Sequence, residues 1–253
     1  MGLVKTKGIV IRELVVNDYD KILTVLTAEQ GKISVMAKGA KRSRSGISAG
    51  ATLLCYSMFT MFRGKKMYIV NDIDIMDTFY DLRMQMEAFA VASYFAEVLQ
   101  DVVPEEQPAN EALRLLLNCL HFLRNGDKSP MLLKMVFELR LMLIAGFAPM
   151  VSCCALCGDV VEESSCFSFP ECGLLCRACT VNKAYPPHEI IYIQKGSVAA
   201  LRHIVEADFD RLFSFQLSGT VLKEVQKIAE QYLLAQTEKK YKTLLFLREF
   251  PFS

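Results

Sequence analysis

Four cysteines in two pairs constrain this chain more than any other feature: Cys154-x2-Cys157 and Cys176-x2-Cys179, separated by eighteen residues. A two-residue spacer lets one turn bring both thiolates onto a single ion, and two such pairs complete the four-thiolate template of structural zinc. Gly158, directly after the first pair, lets the backbone curl so that amides can hydrogen-bond the sulfurs. Four protein ligands leave no open coordination position, so one structural zinc per chain is expected. A redox pair or a disulfide explains half of the pattern, and an iron–sulfur cluster also takes four thiolates. Cys153 paired with Cys157 gives a three-residue spacer that zinc also accepts, so spacing alone leaves the first ligand open between Cys153 and Cys154. Cys166 and Cys172 stand outside the spacing, and Cys55 and Cys119, on apolar faces, read as core.

The cysteines sit in an insert, residues 150–185, that follows neither helical nor strand periodicity. Before residue 80 the texture is that of strands: apolar or alternating runs at 8–14, 21–27, 32–38, 53–62 and 66–75, with turns at Ala28-Glu29-Gln30-Gly31 and Arg63-Gly64-Lys65. Five short strands without an intervening helix predict a small closed barrel. Asp72 and Asp74 alternate with Ile73 and Ile75 and are expected on the solvent face. After Phe79 the period becomes helical, with helices expected over 82–102, 110–123, 130–145, 196–207 and 219–236. The expected architecture is therefore α+β and multidomain: a barrel over 1–80, then a helical domain over 81–253 carrying an inserted four-cysteine zinc ribbon. With 52% hydrophobic residues the chain can bury a sizeable core.

A formal net charge of +1 hides an asymmetry. Residues 1–80 hold 12 Lys and Arg against 7 Asp and Glu, whereas residues 81–253 hold 17 against 21. The charge that could attract a polyanion therefore belongs to the barrel. Lys38, Lys41, Arg42 and Arg44 crowd into seven positions with small residues between them, a composition that can mould to a phosphate backbone. Lys5, Arg12, Lys32, Arg63, Lys65 and Lys66 extend the candidate DNA-binding set, and Tyr19, Tyr56, Phe59, Phe62 and Tyr68 are candidates to stack on bases.

No phosphate-loop, dinucleotide-binding, zinc-protease or nucleophile-elbow motif occurs, and His121, His188 and His203 are scattered. A binding protein is expected rather than an enzyme. The start lacks an apolar stretch behind basic residues, which predicts no secretory signal and a reducing cytoplasm. The uncharged stretch Leu141–Gly158 contains Gly146 and Pro149 and reads as a buried helix followed by a loop, not a membrane span.

Gly31-Lys32 opens a strand that runs into Lys38-Gly39-Ala40-Lys41-Arg42-Ser43, and Gly146-Phe147-x-Pro149 leads into the two cysteine pairs. In this order the parts resemble the RecO family of bacterial DNA repair and recombination mediators along essentially the whole chain. One departure is Cys172-Gly173, where many members have Gly-Gly between the pairs. The resemblance implies an oligonucleotide-binding (OB) fold at the N-terminus, binding of single- and double-stranded DNA, strand annealing, and loading of the RecA recombinase in the RecF pathway. It implies RecR and the acidic C-terminal tail of single-strand-binding protein as partners, and a cytoplasmic, nucleoid-associated place. Lys134 and Arg140, beside Leu133, Phe137 and Leu141, are expected to form a cationic rim over an apolar floor for that tail. A zinc-stabilised RNA-binding module and a purely structural interaction protein are the alternatives.

Overall fold

The alternating runs before residue 78 become five strands, β1 (Leu3–Val15), β2 (Lys21–Thr27), β3 (Gly31–Ala37), β4 (Tyr56–Arg63) and β5 (Tyr68–Asp77). A computed structural model describes residues 2–42, 45–161, 165–183 and 185–249. The strands close into a barrel in the order β1-β2-β3-β5-β4, with β4 pairing back onto β1. All neighbours are antiparallel except β3 and β5, which run parallel. A five-stranded barrel of this kind is the OB fold. Val10, Leu23, Val25, Ile33, Val35, Phe59, Met61, Val70 and Ile73 fill its interior.

Closure depends on β1 serving two neighbours. Its residues 3–9 pair with β4 and its residues 8–15 with β2. A bulge at Ile11 breaks the alternation, and Ile9, Val10 and Ile11 are all fully buried. A second irregularity, between Thr60 and Met61 opposite β5, lets Val70 and Ile73 both reach the core while Asp72 and Asp74 stay exposed. Ile75, expected inside, is 38% exposed near a further register shift at the end of the same ladder.

A 3-10 turn (Tyr80–Met84) leads to helices α1 (Met86–Val102), α2 (Asn110–Asn125) and α3 (Pro130–Ile144). The insert holds β6 (Ser165–Ser168), β7 (Gly173–Leu175), α4 (Arg177–Asn182) and β8 (Ile190–Ile193). Helices α5 (Lys195–Glu206), α6 (Gly219–Thr237) and α7 (Lys242–Glu249) complete the chain. Two compact units result: residues 1–130 with 241–253, and residues 131–240. In the first, α1 packs on β1, and Gln100 donates from its side chain to the Ile11 carbonyl at 2.9 Å. Glu97 of α1 accepts from the backbone amides of Lys242 and Thr243, which ties down the start of α7.

Gly31 explains why the β2–β3 turn needs glycine. Its φ is +60°, and a Cβ there would lie 1.9 Å from the Gln107 carbonyl oxygen. The close approach is held by the segment after α1: the Glu106 amide donates to the Lys32 carbonyl at 3.3 Å, and the Lys32 ammonium caps the Gln100 carbonyl at the end of α1. Gly31→Ala combines a left-handed backbone penalty with a backbone clash. We expect it to cost about 3 kcal/mol, read as a lower denaturation midpoint at unchanged slope.

In the second unit, β6 is central in a three-stranded antiparallel sheet ordered β7-β6-β8. Helix α6 packs on it through Tyr232, whose ring meets Phe167 edge-on at 5.6 Å and whose hydroxyl donates to the Phe147 carbonyl. Helix α3 is buried without a break from Leu132 to Met142. The cations expected at a partner-facing rim are therefore core groups instead. Lys134 lies 2.7 Å from both Glu138 and Glu230, and Arg140 donates to the carbonyls of Ile204 and Val205 at 3.2 and 2.8 Å. Burial disfavours the Lys134 charge, yet the two carboxylates outweigh it and raise its pKa above the usual lysine value. An apolar helix needs its few charges partnered, and Glu138 of α3 itself, Glu230 of α6 and the α5 carbonyls supply the partners.

Candidate metal centre and nucleic-acid face

The turn that follows Val151 winds tightly: the Gly158 amide donates to the Cys154 carbonyl at 2.9 Å and the Cys154 amide to the Asp159 carbonyl at 2.8 Å. This aims Cys154 and Cys157 in one direction. The Ala155 amide bonds the Leu174 carbonyl at 2.8 Å, which sets the turn against β7, and β7 delivers Cys176 and Cys179 at the start of α4. The four sulfurs all lie within 4.8 Å of one another, and those of Cys157 and Cys176 are 3.7 Å apart. A tetrahedron with metal–sulfur bonds of about 2.3 Å has edges of about 3.8 Å, so the set could hold a metal ion. Cys154, and not Cys153, contributes the fourth sulfur.

Second-sphere amides prepare the site. Burial works against a Cys154 thiolate, but the amides of Cys157, Cys176 and Leu156 outweigh it and bring the thiol down to about 6. The Asp159 amide favours the Cys157 anion, yet the hydrogen bonds with Cys154, Cys179 and the Asp159 side chain, together with burial, outweigh it and raise that thiol. The amides around Cys154 favour its anion, and a metal bound there would displace the proton of Cys157. Cys172 adopts φ +52°, the left-handed region that favours glycine. Its carbonyl accepts from the Met150 amide at 2.8 Å, holding the foot of the ligand turn to the ribbon. Cys55, Cys119 and Cys166 are buried as free thiols.

On the barrel, strand alternation decides which cations share a face. Ile33, Val35 and Ala37 of β3 point into the core, so Lys32, Ser34 and Met36 point outward. Register extends that face across three strands in two rows, Arg12–Thr24–Ser34 and Leu14–Ile22–Met36. Arg12 is exposed and Leu14 is 47% exposed. At one end the β4–β5 turn brings Arg63, Lys65 and Lys66 beside Lys32 and Ser34, around a cleft of about 120 Å³ that Glu105 and Glu106 also line.

At the other end, Lys38, Lys41 and Arg42 follow β3 and dock on the β1–β2 turn. The Lys41 amide donates to the Tyr19 carbonyl at 3.0 Å, and the Gly39 amide to the Asp20 carboxylate at 2.7 Å. Asn17 accepts from the amides of Tyr19 and Asp20, which fixes that turn. The Asn17 side chain, then the Gly39 amide, and then the charges of Lys38 and Arg42 hold the Asp20 carboxyl below its ordinary value. The Arg42 guanidinium lies 5.1 Å from the centre of the Tyr19 ring, which is itself 53% exposed. From Lys32 to Lys38 the strand spans about 20 Å, and the whole face suits an extended strand of phosphates with one aromatic platform.

The remaining candidates lie off this face, are engaged with other groups or are buried. Lys5 stands in the row Lys5–Thr60–Asp72, and its neighbour Lys7 in the row Lys7–Met58–Asp74, so each shares its row with a carboxylate two strands away. The Lys32 ammonium is engaged on α1, and Arg63 lies 3.8 Å from Glu106 in an exposed pair. Arg44 lies outside the described residues. Phe59 and Tyr68 fill the barrel core, Tyr56 is half-buried and Phe62 is 38% exposed. Thr24 and Ser34, uncharged and unremarkable in sequence, join the face through register alone.

An OB barrel followed by helices and a ribbon whose four cysteines could hold a metal ion defines the chain as an α+β multidomain protein of the OB-barrel class. Comparison with known proteins narrows it. The model of the recombination protein O N terminal matches residues 1–79, and that of the recombination protein O C terminal matches residues 83–245. DNA repair protein RecO of Acetivibrio thermocellus is 42% identical, covering 98% of this chain and 97% of that protein. DNA repair protein RecO of Symbiobacterium thermophilum is 30% identical over the same shares. The chain belongs to the RecO family of DNA repair proteins. Among the described residues no helix is long and apolar enough to cross a membrane.

Proposed function

We propose that this protein is a recombination mediator that binds single- and double-stranded DNA, anneals complementary strands and, with RecR, helps load RecA onto strands coated by single-strand-binding protein. The observation that carries the reading is the row Arg12–Thr24–Ser34, flanked by Lys65 and Lys66 on one side and by Lys41, Arg42 and exposed Tyr19 on the other. Mediation works by binding alone. A coat is displaced by exchanging contacts, so a second grip on the coat protein's acidic tail would hold the barrel near phosphates as they become free. The burial of Lys134 and Arg140 removes them as the rim of that grip. Zinc is the ion the four thiolates suit, and with every position filled it serves folding.

The test is anisotropy of a labelled single-stranded oligonucleotide across several salt concentrations, with metal content read on the same sample, followed by RecA loading on coated strands with and without RecR. Salt-sensitive binding and RecR-dependent loading are expected. A folded, metal-loaded protein that ignores DNA at low salt, or prefers structured RNA, overturns the reading.

A further inference from the structure

The turn carrying Cys154 and Cys157 enters the ribbon at Val151 and leaves it at Val161, and both ends converge on one side chain of a different element. Arg202 of α5 donates Nε to the Val151 carbonyl at 2.8 Å and one terminal nitrogen to the carbonyls of Ser152 and Val161 at 3.2 and 2.9 Å. Val151 and Val161 are nearly fully buried, so these carbonyls have little access to water as an alternative partner. No ligand contact is involved: Arg202 touches the feet of the loop, and the metal set is Cys154, Cys157, Cys176 and Cys179.

We infer that Arg202 is a positioning residue for the metal centre, closing the first ligand loop so that Cys154 and Cys157 face Cys176 and Cys179 before an ion arrives. The inference rests on the reading that these four cysteines hold a metal. Two features make the clasp specific. A guanidinium presents several donors in a rigid plane, so it can serve three carbonyls at once, whereas an ammonium on a flexible stem holds them less firmly. The helix that carries Arg202 is itself fixed by Glu224 of α6, which accepts from the Gln194 amide and from the Ser197 hydroxyl at the start of α5. An unclasped loop would have to be ordered by the metal, and that cost appears as weaker retention.

The experiment measures zinc per chain in the purified full-length protein and then the rate of zinc transfer to a colorimetric chelator, for the wild type, Arg202→Ala, Arg202→Lys and Glu224→Gln. Arg202→Ala is expected to release zinc about tenfold faster, the low end of what removing a ligand's own hydrogen-bond partner does, because Arg202 acts through the loop and not on a ligand. Arg202→Lys, which keeps the charge and the packed stem, should fall between the two. Glu224→Gln weakens the start of α5 without touching the clasp, and should lower thermal stability while leaving the release rate near wild type. A wild-type release rate in either folded Arg202 variant overturns the clasp while the metal site stands. Equal acceleration in Glu224→Gln overturns it as well, because general loosening of α5 would then suffice. A wild type that retains no metal removes both the site and the clasp.

Discussion

Serine at Cys176 is expected to leave the protein without its metal and to lower the melting temperature of the unit formed by residues 131–240 by about 15 °C. Cys176 is the residue through which the two halves of the centre meet. Its sulfur lies 3.7 Å from that of Cys157, and its amide donates to the Cys154 sulfur at 3.4 Å. It also ends the connection from β7 and stands at the N-cap position of α4, a helix too short to persist without an anchor. Zinc-finger peptides draw about 10 to 16 kcal/mol from their ion. Here the three-stranded sheet and Tyr232 hold part of the ribbon independently, so a loss of about 4 kcal/mol is the reasonable share. At about 4 °C per kcal/mol for a unit of this size, between the small-domain and large-domain ranges, that gives the stated shift. Calorimetry with metal analysis on the same sample checks it. An unchanged melting temperature in a metal-free variant would show that the ion is not structural. The barrel has its own core, and its affinity for a single-stranded oligonucleotide should stay within about twofold.

What can be read in the sequence follows from whether a signal is local. Strand β2 falls at Lys21–Thr27 as its apolar run indicates, and α2 starts at Asn110 as periodicity predicts. The metal set is legible because two short spacers encode two turns. Spacing does not choose between Cys153 and Cys154; the amides of neighbouring residues and of Cys176 do that in three dimensions. The parallel β3–β5 pair carries no local mark, and the bulges at Ile11 and opposite Thr60 and Met61 shift side chains between faces without altering composition.

Charged positions are the hardest to place. Lys5 and Arg12 look alike in sequence, yet register sets one beside Asp72 and the other beside Thr24 and Ser34. Lys134 and Arg140 are expected at a surface because cations usually lie there. A signal against this is present: Leu132, Leu133, Met135, Val136, Phe137, Leu139, Leu141 and Met142 surround the helix on every side, and a helix apolar all round is buried. Glu138 pairs with Lys134 locally at i,i+4, but Glu230, Ile204 and Val205 are far along the chain, beyond any local pattern.

Alanine at Lys41, Arg42, Lys65 and Lys66 together is expected to weaken single-strand binding about a hundredfold near physiological salt, and to flatten its salt dependence. Each phosphate contact on a single strand contributes about 0.7 to the slope of log affinity against log salt, so four losses remove about 2.8. All four side chains are exposed, and the barrel core does not include them, so the fold should be unaffected. Tyr19→Ala separates the two kinds of contact. Stacking is worth about 1 to 3 kcal/mol per base and releases no counterions, so affinity should fall at every salt concentration with little change in slope. Lys5→Ala, beside Asp72 on another part of the barrel, should alter neither quantity appreciably. A quadruple variant with wild-type slope would place the strand elsewhere on the protein. A Lys5 variant with the larger loss would move it to the β1–β4 side, where Thr60 and Asp72 would then have to admit a phosphate backbone against like charge.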